Sequence, residues 1–309
     1  MHQILRKQIT IACAALCCCG NASATEGGGN AYALGLDTNG AAVMPPEGLS
    51  VFGYYHHYEA THIKDDAGRD NARFAHFKLT VNALATRVSY VWPGVKLMGA
   101  NVESRIALPF AVRSEKDAAR ATPAGPVDDS GSKTGFGEIQ IIPLALGWHA
   151  PTLHQIAGID AFLPTGRFVA TDRVNIGRNY YQVAPFYAFM WTPKDAQLSA
   201  KIRYGFSGNN KDNGYSSGDE FTLELSAGYQ VKPSIQLGFS GYFYRQATDD
   251  TLNGALVNGT GNRGRVNALG PYISYKFDSF TLFTKLQKEF DARNRPEGTR
   301  LWVQAKIPL

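Results

Sequence analysis

The stretch 198–207 reads LSAKIRYGFS, and its apolar and polar residues alternate with a period of two. One face carries Leu198, Ala200, Ile202, Tyr204 and Phe206. The other face carries Ser199, Lys201, Arg203, Gly205 and Ser207. Because successive side chains of a β-strand point to opposite faces, this pattern predicts a strand that is apolar on one side and polar on the other. The ranges 221–232, 235–246 and 301–309 repeat the alternation.

The whole chain can be divided into twelve candidate strands. With 32 Gly, 15 Tyr and 17 Phe in 309 residues, its composition favours β-structure. The candidates are 49–61, 73–91, 95–112, 135–149, 153–166, 179–192, 196–208, 219–232, 234–247, 265–277, 279–291 and 299–309. Most run about 10 residues or more, which exceeds the usual globular strand and is enough for a tilted strand to cross a bilayer.

The connections between these candidates are of two alternating kinds. Tight turns are expected at 92–94, 150–152, 192–195, 232–233 and 278. Longer polar connections are expected at 62–72, 113–134, 167–178, 208–218, 248–264 and 291–298. Such sorting is typical of bacterial outer-membrane barrels, which have short periplasmic turns and long external loops. We therefore predict an all-β fold, an antiparallel up-and-down transmembrane β-barrel of about 12 strands with both termini in the periplasm. A secreted β-sandwich or soluble barrel is the alternative.

The first 24 residues have the pattern of a cleaved signal peptide. Arg6 and Lys7 precede a short apolar run, which ends at Ala22-Ser23-Ala24. All four cysteines of the chain lie inside this segment, so we expect no disulfide in the mature protein. A lipoprotein signal is the alternative, although Leu16 stands before Cys17 where that motif needs a small residue. Residues 25–48, rich in Gly, Asn and Ala, are predicted to form either a flexible periplasmic leader or a short plug inside the barrel.

If the apolar face of each strand meets lipid, the opposite face lines the lumen. The predicted lumen-lining residues are Glu103, Arg105, Lys201, Arg203, Glu224, Gln236, Tyr242, Lys285, Gln287 and Glu289. Both charge signs are present, so these groups form either a structural network of pairs or the wall of a narrow water-filled path. The stretch 180–191 is apolar on both faces, and we predict that it lines a ligand route through Phe186.

The sequence offers little support for metal binding or catalysis. His56 and His57 are adjacent, so on a strand they point to opposite faces and cannot easily bind one ion. The stretch 209–214 has Lys211 where a calcium loop needs a ligand. Ser240 lies in a GFSGY stretch that lacks the last glycine of a nucleophile elbow. We predict no catalytic residue, no cofactor and no metal. The formal net charge is +5, and removal of the signal peptide lowers it by two, so no nucleic-acid partner is expected.

Six short segments in order resemble a known family across nearly the whole mature chain. They are PPEG leading to Tyr54-Tyr55 (45–55), LALGWH (144–149), GIDAFLPTG (158–166), NIGRNY (175–180), GNRGR (261–265) and QKEFDARNRPEG (287–298). The family is that of the outer-membrane proteins named for the meta-pathway of phenol degradation, also called SphA-like transporters. Leu309 departs from the terminal aromatic residue usual in such barrels.

The resemblance implies an outer-membrane channel that takes up hydrophobic or aromatic small molecules. Its implied partners are outer-membrane lipid and such a ligand, and we expect a monomer. The alternatives are a structural or adhesive surface barrel, a protein that handles sphingoid bases or other long-chain amines, and a lipid hydrolase. The resemblance supplies no catalytic residue and no cofactor.

Overall fold

The computed structural model describes residues 28–308, and they form a closed antiparallel β-barrel of twelve strands. The strands are β1 (Gly48–Ile63), β2 (Phe74–Leu97), β3 (Ala100–Arg120), β4 (Ile139–His149), β5 (Leu153–Leu163), β6 (Gln182–Trp191), β7 (Ala196–Ser207), β8 (Glu220–Lys232), β9 (Ile235–Gln246), β10 (Arg265–Lys276), β11 (Thr281–Arg293) and β12 (Pro296–Pro308). Each strand pairs with its neighbours in sequence, and β1 closes the barrel by pairing with both β2 and β12. At this seam His56 lies opposite Ala83 on one side and Trp302 on the other. The predicted fold is confirmed.

Three connections differ from the sequence prediction, two of them at turns. The expected turn at 92–94 is wrong, because Pro93 and Gly94 form an irregularity within β2 and the chain turns at Met98-Gly99. Both turn residues have positive φ, as a two-residue hairpin with the right twist requires. The expected long loop at 291–298 is a two-residue turn at Asn294-Arg295, where Asn294 takes the positive φ.

The other long connections lie together at one end of the barrel, and short turns lie at the other. The Arg113–Thr134 loop is shorter than expected, because β3 continues to Arg120 and Gly131–Gly135 pairs with it. At the same end, the loops after β7 and β9 form a small sheet from Asn209–Asn210, Tyr215–Ser216, Thr251–Leu252 and Ala255–Leu256. Within residues 28–308, no helix is long and apolar enough to cross a membrane.

The outer surface of the barrel is apolar along the part of the barrel axis that the shorter strands span. Ile202, Leu237, Phe239 and Leu269 all point outward and are more than two-fifths exposed. Trp92, Trp191 and Tyr229 are exposed near the short-turn end. Large exposed apolar side chains on every strand, with aromatic residues near the ends, are what a lipid-facing barrel surface requires.

Residues 28–47 lie inside the barrel, and we call them the plug. Its side chains Tyr32, Leu34 and Ala42 are at most 1% exposed. Tyr32 and Leu34 pack against residues of β5, β9, β10 and β11, among them Phe162 and Tyr244. Residues 28–47 thus contact the inner faces of the strands and do not extend away from the barrel. The predicted signal peptide and residues 25–27 lie outside the described residues.

Candidate functional site

Buried charged groups cover the inner faces of β5–β11, which we call the polar half of the lumen. Arg203 and Asp160 form an ion pair, with 3.2 Å between Nη2 and Oδ1 and almost no exposure of either side chain. Arg300 of β12 reaches into this region and pairs with Glu289 at 3.2 Å, while the Tyr242 hydroxyl donates to Glu289 at 2.6 Å. Because buried charges are costly unless they are paired and hydrogen-bonded, this half of the lumen needs a full set of partners.

The plug supplies many of these partners. Glu224 of β8 accepts hydrogen bonds from the Gly35 amide at 2.6 Å, the Asp37 amide at 2.8 Å and the Tyr32 hydroxyl at 3.0 Å. Lys201 Nζ donates to Asp37 Oδ2 at 2.6 Å. One carboxylate of the barrel therefore accepts hydrogen bonds from three groups of the plug.

The last two strands hold the same turn of the plug from another side. Lys285 Nζ donates to the Leu36 carbonyl at 2.9 Å and to the Thr38 hydroxyl at 2.8 Å. Gln304 Nε2 donates to the Leu36 carbonyl at 2.8 Å. Gly35 makes this approach possible: its φ is +80°, and a Cβ there would collide with Gln287 Oε1.

Beside the plug, a cavity of about 980 Å³ lies at the long-loop end of the barrel. We call its barrel side the apolar wall, which consists of Phe77, Leu79, Val81, Ala83 and Ala85 of β2 with Ala107, Pro109 and Val112 of β3. Opposite the wall lie plug residues 28–34 and 36. His56 and Trp302, whose rings stack at 4.1 Å, also line the cavity.

Two loops roof the cavity. Phe168, Val174 and Ile176 come from the loop after β5, and Leu252 and Leu256 from the loop after β9. The second loop is anchored by the Tyr215 hydroxyl, which donates to Asp250 at 2.6 Å. Its outer part is tied by a hydrogen bond from Arg263 to Asp249, which also holds the pKa of that exposed carboxyl below its usual value. The roof is therefore a folded structure with apolar groups on its inner side.

The ten predicted lumen-lining residues and Phe186 all lie on the inner face of the barrel, yet none of these eleven lines the cavity. Glu103 pairs with Arg105 at 2.6 Å, Gln236 accepts from Tyr272, and Gln287 donates to Ser240. Lys201, Glu224 and Lys285 bind the plug. The structure thus places them in packed or paired positions, and the cavity is lined by residues that sequence reasoning missed.

Phe186 lies away from the cavity. Phe186 faces the lumen but packs against Ala42 of the plug and against Ile142, Ala188 and Met190. Its ring centroid is 4.7 Å from Lys201 Nζ. It lies beneath the plug, whereas the apolar wall of the cavity is on β2 and β3.

The other residues considered for chemistry have structural partners. His57 points outward and its Nδ1 lies 2.8 Å from Asn82 Oδ1, on the face opposite His56. Ser240 is 1% exposed, and its hydroxyl accepts from Gln287 at 3.1 Å. Two further histidines, His149 and His154, contact each other at the turn between β4 and β5. Across residues 28–308, no three His, Cys, Asp or Glu side chains are grouped to hold a metal ion.

The fold and the lumen define a transmembrane β-barrel that is partly filled by its own N-terminal segment and has an apolar-walled cavity under its loops. A crystal structure of an outer membrane channel from Pseudomonas putida F1 has the same fold, with a TM-score of 0.73 at 17% identity over 87% of this chain and 98% of that one. The β domain of the Bordetella autotransporter BrkA has a TM-score of 0.48 at 11% identity, over 85% of this chain and 100% of that one. The NanC porin has a TM-score of 0.42 at 10% identity, over 84% of this chain and 100% of that one.

Residues 62–305 match the model of the family described as the putative MetA-pathway of phenol degradation. The match covers most of the chain, and the protein belongs to this family. The resemblance seen in the short sequence segments is therefore confirmed. No curated protein matches the sequence.

Proposed function

We propose that the protein is an outer-membrane channel for the uptake of a hydrophobic or aromatic small molecule, exported with a cleaved signal peptide and acting as a monomer. The observation that carries this proposal is the apolar wall beneath the external loops. A cavity of about 980 Å³ is in the range of small-molecule sites, which are mostly apolar with a few polar groups. The description of the family, which refers to phenol degradation, supports an aromatic cargo.

The plug gives the proposed channel a closed state. Below the cavity it continues toward the short-turn end, where Glu47 accepts a hydrogen bond from the Gly94 amide at 3.3 Å. Ala41 donates to Ser199 at 2.9 Å and Ala42 is fully buried, so this part of the lumen is packed. We infer that passage of a ligand from the cavity to the periplasm requires displacement of the plug.

Filling the cavity should block uptake. Ala83→Trp adds a large side chain to the middle of the apolar wall, and we expect it to reduce uptake of radiolabelled phenol or toluene by cells at least tenfold. Ala227→Trp is the matched control, because Ala227 lies on the exposed outer face of β8. Normal uptake by a folded Ala83→Trp barrel would contradict the proposal.

Two other classes of function make different predictions. A surface barrel that binds a partner through its loops would lose function when residues 121–126 are shortened and would show no solute flux in vesicles. A lipid hydrolase would be labelled by a serine-directed probe. The burial of Ser240 gives such a probe no access to the serine that the sequence suggested.

A further inference from the structure

The surface of the cavity carries an excess of positive charge. Eight of the lining side chains are Lys or Arg and three are Asp or Glu. We propose that the cargo is an apolar or aromatic molecule that bears an anionic group such as a carboxylate. This inference deepens the proposed function and rests on it.

The excess arises because the carboxylates of several ion pairs lie off the cavity. Arg87 pairs with Asp37 at 3.6 Å, and Arg300 pairs with Glu289 at 3.2 Å. In both pairs the guanidinium lines the cavity and the carboxylate does not. Arg173 repeats the arrangement with Asp128, at 2.9 Å. Asp172 is the reverse case, because its partner Lys133 lies off the cavity.

The positive groups adjoin the apolar wall on the same strand. Along the inner face of β3, Pro109 and Val112 are followed by Ser114, Lys116 and Arg120. Lys116 and Arg120 both pair with one carboxylate, Asp129, at 3.0 and 3.3 Å. A molecule that lays its apolar part on the wall therefore has cationic groups within reach of a polar end.

These positive charges favour the binding of anions over the binding of amines. Guanidinium groups keep their charge at every physiological pH, and charges act more strongly in a partly enclosed site than in water. An ammonium group in the cavity would face several fixed positive charges. The structure thus favours an aromatic or aliphatic acid over the long-chain amine that the sequence left as an alternative.

Three ligands of equal size test the inference. We would measure binding of 3-phenylpropionate, 3-phenylpropan-1-ol and 3-phenylpropylammonium to the purified full-length barrel by calorimetry at pH 7. The acid should bind about tenfold more tightly than the alcohol, and the ammonium should bind most weakly. Equal binding of acid and alcohol, or preference for the ammonium, would overturn the inference alone. Absence of binding by all three would overturn the proposed function as well.

Charge-reversal variants test whether the preference for the acid arises from the residues that line the cavity. The Arg73→Glu and Arg173→Glu double variant changes two lining residues, and we expect it to reduce the preference for acid over alcohol about fivefold. Arg69→Glu with Arg113→Glu makes the same change of net charge at exposed residues that do not line the cavity, and the preference should stay as in the wild type. An equal reduction in both double variants would contradict a role for the cavity charges. Heat-modifiable mobility on a gel verifies that each barrel is folded.

Discussion

The two sides of the lumen differ in the hydrogen-bond partners that they present to the irregular backbone of the plug. The polar half presents Glu224 and Lys285, and Gln304 lies beside it on β12; all three bind amides or carbonyls of the plug. The apolar wall presents Leu79, Val81 and similar side chains, which can bind none of them. Because buried backbone groups must be hydrogen-bonded, the plug lies against the polar half and leaves the cavity beside the wall. The position of the cavity thus follows from where the barrel has no polar partners.

The largest expected effect removes the main acceptor of the plug. Glu224→Ala deletes three hydrogen bonds to a charged group, and we expect it to destabilise the seated plug by about 5 kcal/mol. The plug should then leave the lumen, and single-channel conductance in planar bilayers should rise severalfold. Glu59→Ala is the control, because Glu59 pairs with Lys78 on the outer face. Unchanged conductance in Glu224→Ala would show that the plug does not depend on this carboxylate.

A second test concerns the cost of an unpaired charge in the polar half. Asp160→Ala leaves the Arg203 guanidinium buried without its ion pair, which should destabilise the barrel by about 3 kcal/mol in urea titrations in lipid vesicles. The double variant Asp160→Ala with Arg203→Leu should recover most of this loss, because it removes both charges. A single variant as stable as the wild type would mean that another group compensates the arginine.

The smallest expected effect is on the apolar wall. Val81→Thr replaces a methyl group with a hydroxyl of similar size, and loss of that apolar contact should weaken binding of 3-phenylpropan-1-ol about fourfold. Stability in urea should be unchanged, in contrast to Asp160→Ala. Val88→Thr on the outer face of β2 is the control and should bind the alcohol normally. A similar loss of binding in both variants would show that the ligand does not bind at the apolar wall.

Alternation in the sequence was sufficient to predict the barrel and the inward orientation of the charged residues. In β7 and β8, one face of each strand contacts the membrane and requires apolar side chains. The other face contacts the polar lumen and accepts charged ones. Lys201 and Glu224 are therefore identifiable from the pattern of their neighbours alone.

The rule that apolar residues face outward and polar residues face inward did not predict the cavity. The reason is that β2 is 24 residues long and extends beyond the apolar outer surface. In its outer part Lys78 and Asn82 face outward while Phe77, Leu79 and Val81 face inward, so the usual polarity of the two faces is reversed. The length of β2 was a usable signal, but the turn wrongly expected at 92–94 obscured it. The seating of the plug could not be predicted, because it depends on contacts between residues such as Leu36 and Gln304 that are far apart in sequence.

The attachment of the plug also bears on the order of assembly. Leu36 precedes β1, and its carbonyl is bound by Lys285 of β11 and Gln304 of β12, the last two strands of the barrel. β12 is also the strand that pairs with β1 to close the barrel. The plug therefore cannot complete its contacts until β12 is in place, and once seated it links the segment before β1 to the last two strands beside the closing seam.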